Sequence, residues 1–114
     1  MKQEIISLIS QLHTEKPTKA HLIIDHLNDL AESRSLSIVE ANAITSTLVQ
    51  FWQENPSYDI EESVLSFFIS AVVFSDVKDT PSLLQTLMAK PNPLFKEYYE
   101  EISSNHEFNV TARS

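Results

Sequence analysis

The most apolar part of the chain runs from Val64 to Phe74, where Ser66 and Ser70 are the only polar side chains. A membrane-spanning helix needs about 20 apolar residues, so this shorter run is expected in a protein core. Glu62, Ser66 and Ser70 recur at intervals of four, which would place them in one narrow polar stripe on a helix. The pattern therefore predicts a central helix near residues 60–75 that is packed on most of its sides.

Apolar residues on both sides of this stretch recur with the three-and-four spacing of amphipathic helices. Prolines separate the periodic segments, because proline disfavours helical backbone in the residue before it and suits the first turn of a new helix. Two helices are expected over residues 2–13 and 17–33, and a third between 37 and 55. The central helix is then followed by two more, which begin near residues 80 and 92.

The predicted helix starts carry capping residues. Ser37 and Glu40 have the spacing of a capping box, in which each side chain accepts a hydrogen bond from the backbone of the other residue. Asp59 and Glu62 have the same spacing and predict a second capping box at the start of the central helix. Thr80, which precedes a proline, is expected to cap the fifth helix.

The sixth helix is expected to begin at Asn92 and Pro93. Its inward positions are predicted to be Leu94, Phe95, Tyr98, Tyr99 and Ile102. The periodicity is lost from Ser103 onward, so residues 1–103 are expected to form one all-α domain and residues 104–114 a frayed tail.

Six short helices with short links predict a single-domain antiparallel bundle centred on the fourth helix. Helix pairs would begin near residues 2, 37 and 80, a spacing that is also compatible with a helical-repeat stack of the HEAT or TPR type. No repeated residue pattern accompanies that spacing, so the stack is the minor alternative. The chain contains no glycine, which fits helices and excludes glycine-rich phosphate loops and nucleophile elbows.

Charge restricts the possible partners. Sixteen acidic residues against eight basic ones give a formal net charge of −8, which repels nucleic acid and attracts basic proteins. The absence of cysteine removes disulfides, thiolate chemistry and cysteine-based zinc sites. Glu4 and other polar residues interrupt any signal-like apolar run near the N-terminus, so the expected location is the cytoplasm, without membrane attachment.

His21, Asp25, His26 and Asp29 form the one cluster of histidines and carboxylates in the sequence. His21 and Asp25 would share a helix face, but His26 would point about 140° away from His21, so a third metal ligand is missing. We expect a solvated polar face here, with no metal, no cofactor and no catalytic site. An enzyme is the least favoured of the functions considered.

Acidic residues are concentrated where basic ones are missing, because no Lys or Arg lies between Arg34 and Lys78 or between Lys96 and Arg113. Both intervals contain tyrosines beside the acids, and tyrosine is enriched at protein interfaces. The acids are expected on the surface, whereas at least one of Tyr98 and Tyr99 is expected in the core. The predicted partner-binding residues are Tyr58, Asp59, Glu61, Glu62, Glu97, Tyr98, Tyr99, Glu100 and Glu101.

These features predict a small acidic protein-binding module that neutralises or regulates a basic protein partner. In size, acidity and helical content the chain is similar to bacterial immunity proteins and antitoxins, which inhibit toxins such as nucleases; the similarity is one of class, carried by no motif. The alternative is an adaptor or secretion-chaperone-like module that binds through an apolar groove. Binding that weakens strongly with salt favours the first function, and salt-insensitive capture of a helix favours the second.

Overall fold

A computed structural model of the chain describes residues 2–14, 17–90 and 92–113, and these ranges contain helices but no strands. A single 3₁₀ turn, Pro93–Phe95, precedes the last helix. The prediction of an all-α domain with six helices is confirmed. The helices are α1 (Gln3–Thr14), α2 (Pro17–Glu32), α3 (Ile38–Glu54), α4 (Tyr58–Phe74), α5 (Thr80–Leu87) and α6 (Lys96–Arg113).

Helix α3 begins with the predicted capping box. The Ser37 Oγ accepts a hydrogen bond from the Glu40 backbone at 3.1 Å, and the Glu40 carboxylate accepts one from the Ser37 backbone at 2.9 Å. The Lys2 backbone N–H also donates to this carboxylate, at 3.2 Å. The start of α1 is thereby joined to the start of α3.

The capping box predicted at Asp59 and Glu62 is wrong. The N-cap of α4 is Ser57, whose side chain accepts from the Ile60 backbone at 3.2 Å. Asp59 therefore lies inside the first turn, where its backbone is already helical and cannot occupy the extended conformation of an N-cap.

The next two helix starts also differ from prediction. Thr80 is the first residue of α5 rather than its cap, and its hydroxyl donates to the Val77 carbonyl. Asp79 holds the N-cap position of α5 without a side-chain hydrogen bond. Asn92 does act as a cap, since its side chain accepts from the Leu94 backbone at 3.0 Å, but it caps the 3₁₀ turn.

Helix α4 is the centre of the fold, as predicted, and packs against α2, α3 and α6. Phe67 and Phe68 are fully buried on it, and buried residues of the other helices complete one hydrophobic core around them. Within the described ranges, no helix combines the length and the hydrophobicity that a membrane crossing requires.

Consecutive helices run antiparallel, as expected for a bundle, but alternate helices run parallel. Glu4 near the start of α1 lies 3.4 Å from His26 in the second half of α2, and Asn42 near the start of α3 bonds to Asp76 just beyond α4. Helices α1 and α3 are joined at their starts through Glu40 and at their ends by the ring contact of His13 with Phe51. Since α1 and α3 are parallel, their antiparallel partners α2 and α4 are parallel as well.

Helices α4 and α6 are also parallel. Tyr99 of α6 bonds to Glu61 near the start of α4, and Asn109 bonds to Val72 near its end. These four hydrogen bonds between hairpins join residues with nearly the same separation in sequence. The separation is 38 residues for Lys2–Glu40, Asp25–Ser63 and Glu61–Tyr99, and 37 residues for Val72–Asn109. The bundle therefore consists of three helical hairpins that pack one against the next.

The stack has two layers of helices, with α1, α3 and α5 in one layer and α2, α4 and α6 in the other. Its thickness of 19 Å corresponds to two helix diameters of about 10 Å each. The second layer places three parallel helices side by side, with α4 in the middle. Their N-terminal ends lie at one edge of the layer and their C-terminal ends at the other.

The C-terminal region differs from the predicted tail, because α6 is helical through Arg113; Ser114 lies outside the described residues. The bond from the Asn109 amide to the Val72 carbonyl, at 2.9 Å, fixes this part of α6 against α4. From Ser103 onward the residues of α6 are mostly polar, so no apolar stripe predicted this second half of the helix. Leu94, which was predicted to face inward, is 74% exposed because it lies in the 3₁₀ turn before α6.

Candidate protein-binding face

One exposed stripe follows the whole length of the central helix. Its five residues recur at intervals of three and four, so they share one side of α4, and all are exposed or half-buried between buried neighbours. We call this surface the α4 stripe; it consists of Asp59, Glu62, Ser66, Ile69 and Val73.

Helix α2 supplies one flank of the stripe. The hydroxyl of Ser63, next to Glu62, donates to the Asp25 carboxylate at 2.9 Å, which places Asp25 beside α4. Asn28 and Glu32 follow Asp25 on the same side of α2 and share a weak hydrogen bond of 3.4 Å. This flank therefore adds two further carboxylates beside the α4 stripe.

Aromatic rings form the other flank, at the start of α6. The Phe95 ring lies between those of Tyr58 and Tyr98, with centroid distances of 5.0 and 5.5 Å. Tyr58 is half exposed, whereas Phe95 is buried. Partial burial and the negative charge of nearby Glu62 raise the pKa of Tyr58, so its hydroxyl stays protonated and able to donate a hydrogen bond.

The fold brings the two predicted acidic blocks together. Because α4 and α6 are parallel neighbours joined by the Glu61–Tyr99 hydrogen bond, the helix ends that carry Asp59, Glu62 and the exposed acids of α6 lie at the same edge of the layer. Glu100 pairs with Lys96 at 3.8 Å, a solvent-exposed ion pair that contributes little to stability. Glu97 and Glu101 are also exposed, which agrees with their predicted surface position.

Two of the nine predicted binding residues are not on the surface. Glu61 and Tyr99 are 6% and 5% exposed, and the tyrosine hydroxyl donates to the Glu61 carboxylate at 3.0 Å. Glu61 is one position away from the α4 stripe, and a one-residue step turns a helix by about 100°, here toward α6. Its predicted exposure is therefore wrong, and it has a structural role between α4 and α6.

The buried pair has perturbed acidities. Burial disfavours the charged carboxylate and raises the pKa of Glu61, although the bond from Tyr99 partly opposes this shift. Burial and the neighbouring carboxylate raise the pKa of Tyr99 to about 12. The Tyr99 hydroxyl therefore stays protonated at physiological pH and can donate its hydrogen bond to Glu61.

The opposite end of the face is apolar. Val73 and Phe74 at the end of α4 are 45% and 40% exposed, and the Arg34 guanidinium lies over the Phe74 ring at 5.5 Å. Phe108 of α6 is 71% exposed and precedes Asn109, the residue that bonds to Val72 near the end of α4. This apolar end was not predicted, because Val73 and Phe74 belong to the run that was expected to be buried as a whole.

The histidine cluster of α2 is divided among separate contacts. His26 lies 3.4 Å from Glu4, and Asp25 bonds to Ser63. Among the described residues, no group of three side chains could hold a metal ion.

A separate cleft of about 250 Å³ lies between the end of α3 and the end of α5. Trp52 and Pro56 form its apolar side, and Lys90 is its one charged lining residue. No carboxylate or histidine lines this cleft within the described ranges, so it offers no acid–base pair for catalysis.

No family model, curated protein or solved structure matches the chain. Its function is therefore inferred from its own residues.

Proposed function

We propose that the chain is a protein-binding module that neutralises or regulates a basic protein partner. A bacterial toxin such as a nuclease is the kind of target that this surface suits, and the chain would then act as an immunity protein or antitoxin. The observation that supports the proposal most directly is that acids from two intervals without Lys or Arg lie at the N-terminal ends of two neighbouring parallel helices, α4 and α6.

The support is electrostatic. Asp59 and Glu62 lie in the first two turns of α4, Glu97 and Glu101 lie in the first two turns of the neighbouring α6, and the net charge of −8 gives the whole chain a field of the same sign. Such a field speeds the encounter with a basic partner and disfavours acidic ones. The positive ends of the α4 and α6 dipoles also stabilise carboxylates in these turns, so the acids are held there at little cost in stability.

The aromatic flank supplies the second part of an interface. Tyr58 and Tyr98 keep part of their surface accessible beside Glu62, while buried Phe95 holds their rings in place. A tyrosine that is already ordered loses little entropy when a partner covers it, which is one reason tyrosines often dominate binding energy.

The test compares two double variants with the same change in net charge. Glu62→Lys with Glu101→Lys reverses the acidic face, and Glu54→Lys with Asp79→Lys reverses two exposed acids elsewhere. The partner is first recovered from the host with the tagged chain and identified by mass spectrometry. Its association rate is then measured by stopped flow at several salt concentrations.

The face variant should associate at least about tenfold more slowly at low salt and lose most of its salt dependence, because steering acts through nearby charges. The control variant should change the rate by less than about threefold, since its charges lie farther from the contact. Equal slowing in both variants, or a recovered partner that is acidic, would contradict the proposal.

The second candidate function, an adaptor or secretion-chaperone-like module, is favoured by the exposed apolar end at Val73, Phe74 and Phe108. Apolar capture depends little on salt, so it predicts association rates that are unchanged in the face variant. Val73→Lys would then abolish binding of the recovered partner while both charge variants bind normally.

A further inference from the structure

The α4 stripe is acidic at Asp59 and Glu62 and apolar at Ile69 and Val73. We infer that an amphipathic helix of a basic protein partner binds along this face. This inference rests on the proposed function. The helix would lie along α4, with Lys or Arg side chains over Asp59 and Glu62 and apolar side chains over Ile69 and Val73.

The dimensions of the face suit one helix. Helices α2 and α6 both pack against α4, and packed helices lie 8–10 Å apart, so α2 and α6 are separated by about 16–20 Å across α4. That spacing leaves room above α4 for one more helix of about 10 Å diameter. From Asp59 to Val73 the stripe spans 14 residue steps, or about 21 Å, which corresponds to four turns of a bound helix.

The chemistry of the stripe is complementary to a helix with two different halves. The acidic half contains Asp59 and Glu62, with Asp25 on the α2 flank, and no Lys or Arg shares these stripe positions. The apolar half contains half-buried Ile69 and 45% exposed Val73, and the charged residues beside it are Glu32 on the α2 flank and Arg34 over the Phe74 ring. An extended peptide would expose its backbone polar groups to the apolar half, whereas a helix satisfies them internally.

The experiment uses a fluorescent synthetic peptide of roughly 16 residues, or four and a half helical turns, with lysines on the first half of one face and leucines on the second half. A second peptide has the same composition but alternates lysine and leucine along that face. Fluorescence anisotropy with the full chain should show the segregated peptide binding at least about tenfold more tightly than the alternating one. Equal affinities would overturn the inference.

Two single variants and two matched controls locate the binding. Glu62→Lys and Val73→Lys should each weaken the segregated peptide at least about tenfold, because each removes one half of the complementarity. Glu54→Lys and Val39→Lys make the same changes at exposed positions of α3 and should alter affinity less than about twofold. Circular dichroism and urea unfolding of all four variants verify that each is folded before its affinity is compared.

A reporter in the stripe gives a second measurement. The chain lacks cysteine, so Ser66→Cys can be labelled specifically with an environment-sensitive dye, and Ser46→Cys on α3 serves as the matched control. The peptide should change the emission of the dye at position 66 and leave that at position 46 unchanged. A change at position 46 alone would place the peptide elsewhere and overturn the inference.

The same variants separate this inference from the proposed function. If the recovered partner depends on Glu62 and Glu101 but binds Val73→Lys normally, the acidic interface stands and the helix along α4 is wrong. If the recovered partner ignores both acids, the proposed function is wrong, whatever the peptide does.

Discussion

The first turns of α3 and α4 begin in the same way and place a glutamate in opposite environments. Each helix has a serine N-cap, Ser37 or Ser57, followed by a glutamate with little exposed surface. In α3 the glutamate is Glu40, at the third helical position, where its side chain reaches back to the cap. In α4 it is Glu61, at the fourth position, and its side chain points toward α6.

The difference in position determines the acidity of each group. Two backbone N–H groups, those of Ser37 and Lys2, donate to Glu40 and lower its pKa, since they stabilise the charged form. The one bond that Glu61 accepts among the described residues comes from Tyr99, and burial raises its pKa. A one-residue shift along a helix can therefore separate a capping carboxylate with a lowered pKa from a buried carboxyl group with a raised pKa.

The largest expected effect comes from Glu61→Lys. The substitution would bury a cationic side chain between α4 and α6 and would remove the carboxylate to which Tyr99 donates. An uncompensated buried charge lowers the unfolding free energy by at least about 3 kcal/mol. Glu62→Lys, one residue away on the α4 stripe, should change the unfolding free energy by less than about 0.5 kcal/mol. Urea unfolding measures both, and equal losses would contradict the assignment of Glu61 to the interior.

A smaller effect is expected from the two caps. Ser37→Ala and Ser57→Ala should each lower the unfolding free energy by about 1 kcal/mol, the typical value for an N-cap. The loss should be greater for Ser37, because its capping box also holds the Glu40 carboxylate that joins α3 to Lys2. A greater loss for Ser57→Ala in urea unfolding would show that the box adds nothing to the single capping bond.

The smallest expected effect is in how stability depends on pH. The folded-state pKa of Glu61 lies above its ordinary value of 4.5, so Glu61 contributes stability below that value and loses it as pH rises through the raised pKa. The folded-state pKa of Glu40 lies below 4.5, so its contribution is present above that value and is lost as pH falls through the lowered pKa.

Glu61→Gln should therefore remove the decline on the upper side of pH 4.5, and Glu40→Gln should reduce the loss on the lower side. Unfolding free energies measured across this range test both expectations. Identical slopes for wild type and Glu61→Gln would show that this carboxyl group is not protonated more readily in the folded chain.

Sequence patterns located the helices because their evidence is local. Ser37 and Glu40 are three residues apart, and each needs only the backbone of the other. The same spacing misled the prediction at Asp59 and Glu62, because Ser57 is also a good cap and begins the helix two residues earlier. The spacing identifies residues that are able to cap a helix. Which of them becomes the N-cap depends on the backbone conformation of the preceding turn.

The position of the binding face could not be predicted to the same degree. Acidity marked Glu61 as a surface residue, but its partner Tyr99 is 38 residues away, and nothing near Glu61 in sequence indicates that contact. Val73 was expected to be buried with the rest of its apolar run, because composition does not show which side of α4 lacks a neighbouring helix. Both outcomes depend on the parallel packing of α4 and α6, which periodicity within a single helix does not encode.

The stacked hairpins also imply that local unfolding costs differ along the chain. The extensive contacts of α5 and α6 are made with each other and with the middle hairpin, α3–α4, so the last hairpin has one neighbour whereas the middle hairpin has two. In such stacks a terminal unit can open while the rest remains folded. Separation of α6 from α4 would return Glu61 to water and remove its desolvation penalty. Rising pH should therefore favour opening of this terminal hairpin ahead of global unfolding, and the opening free energy derived from amide exchange, corrected for the intrinsic exchange rate, should fall in α6 before it falls in α2.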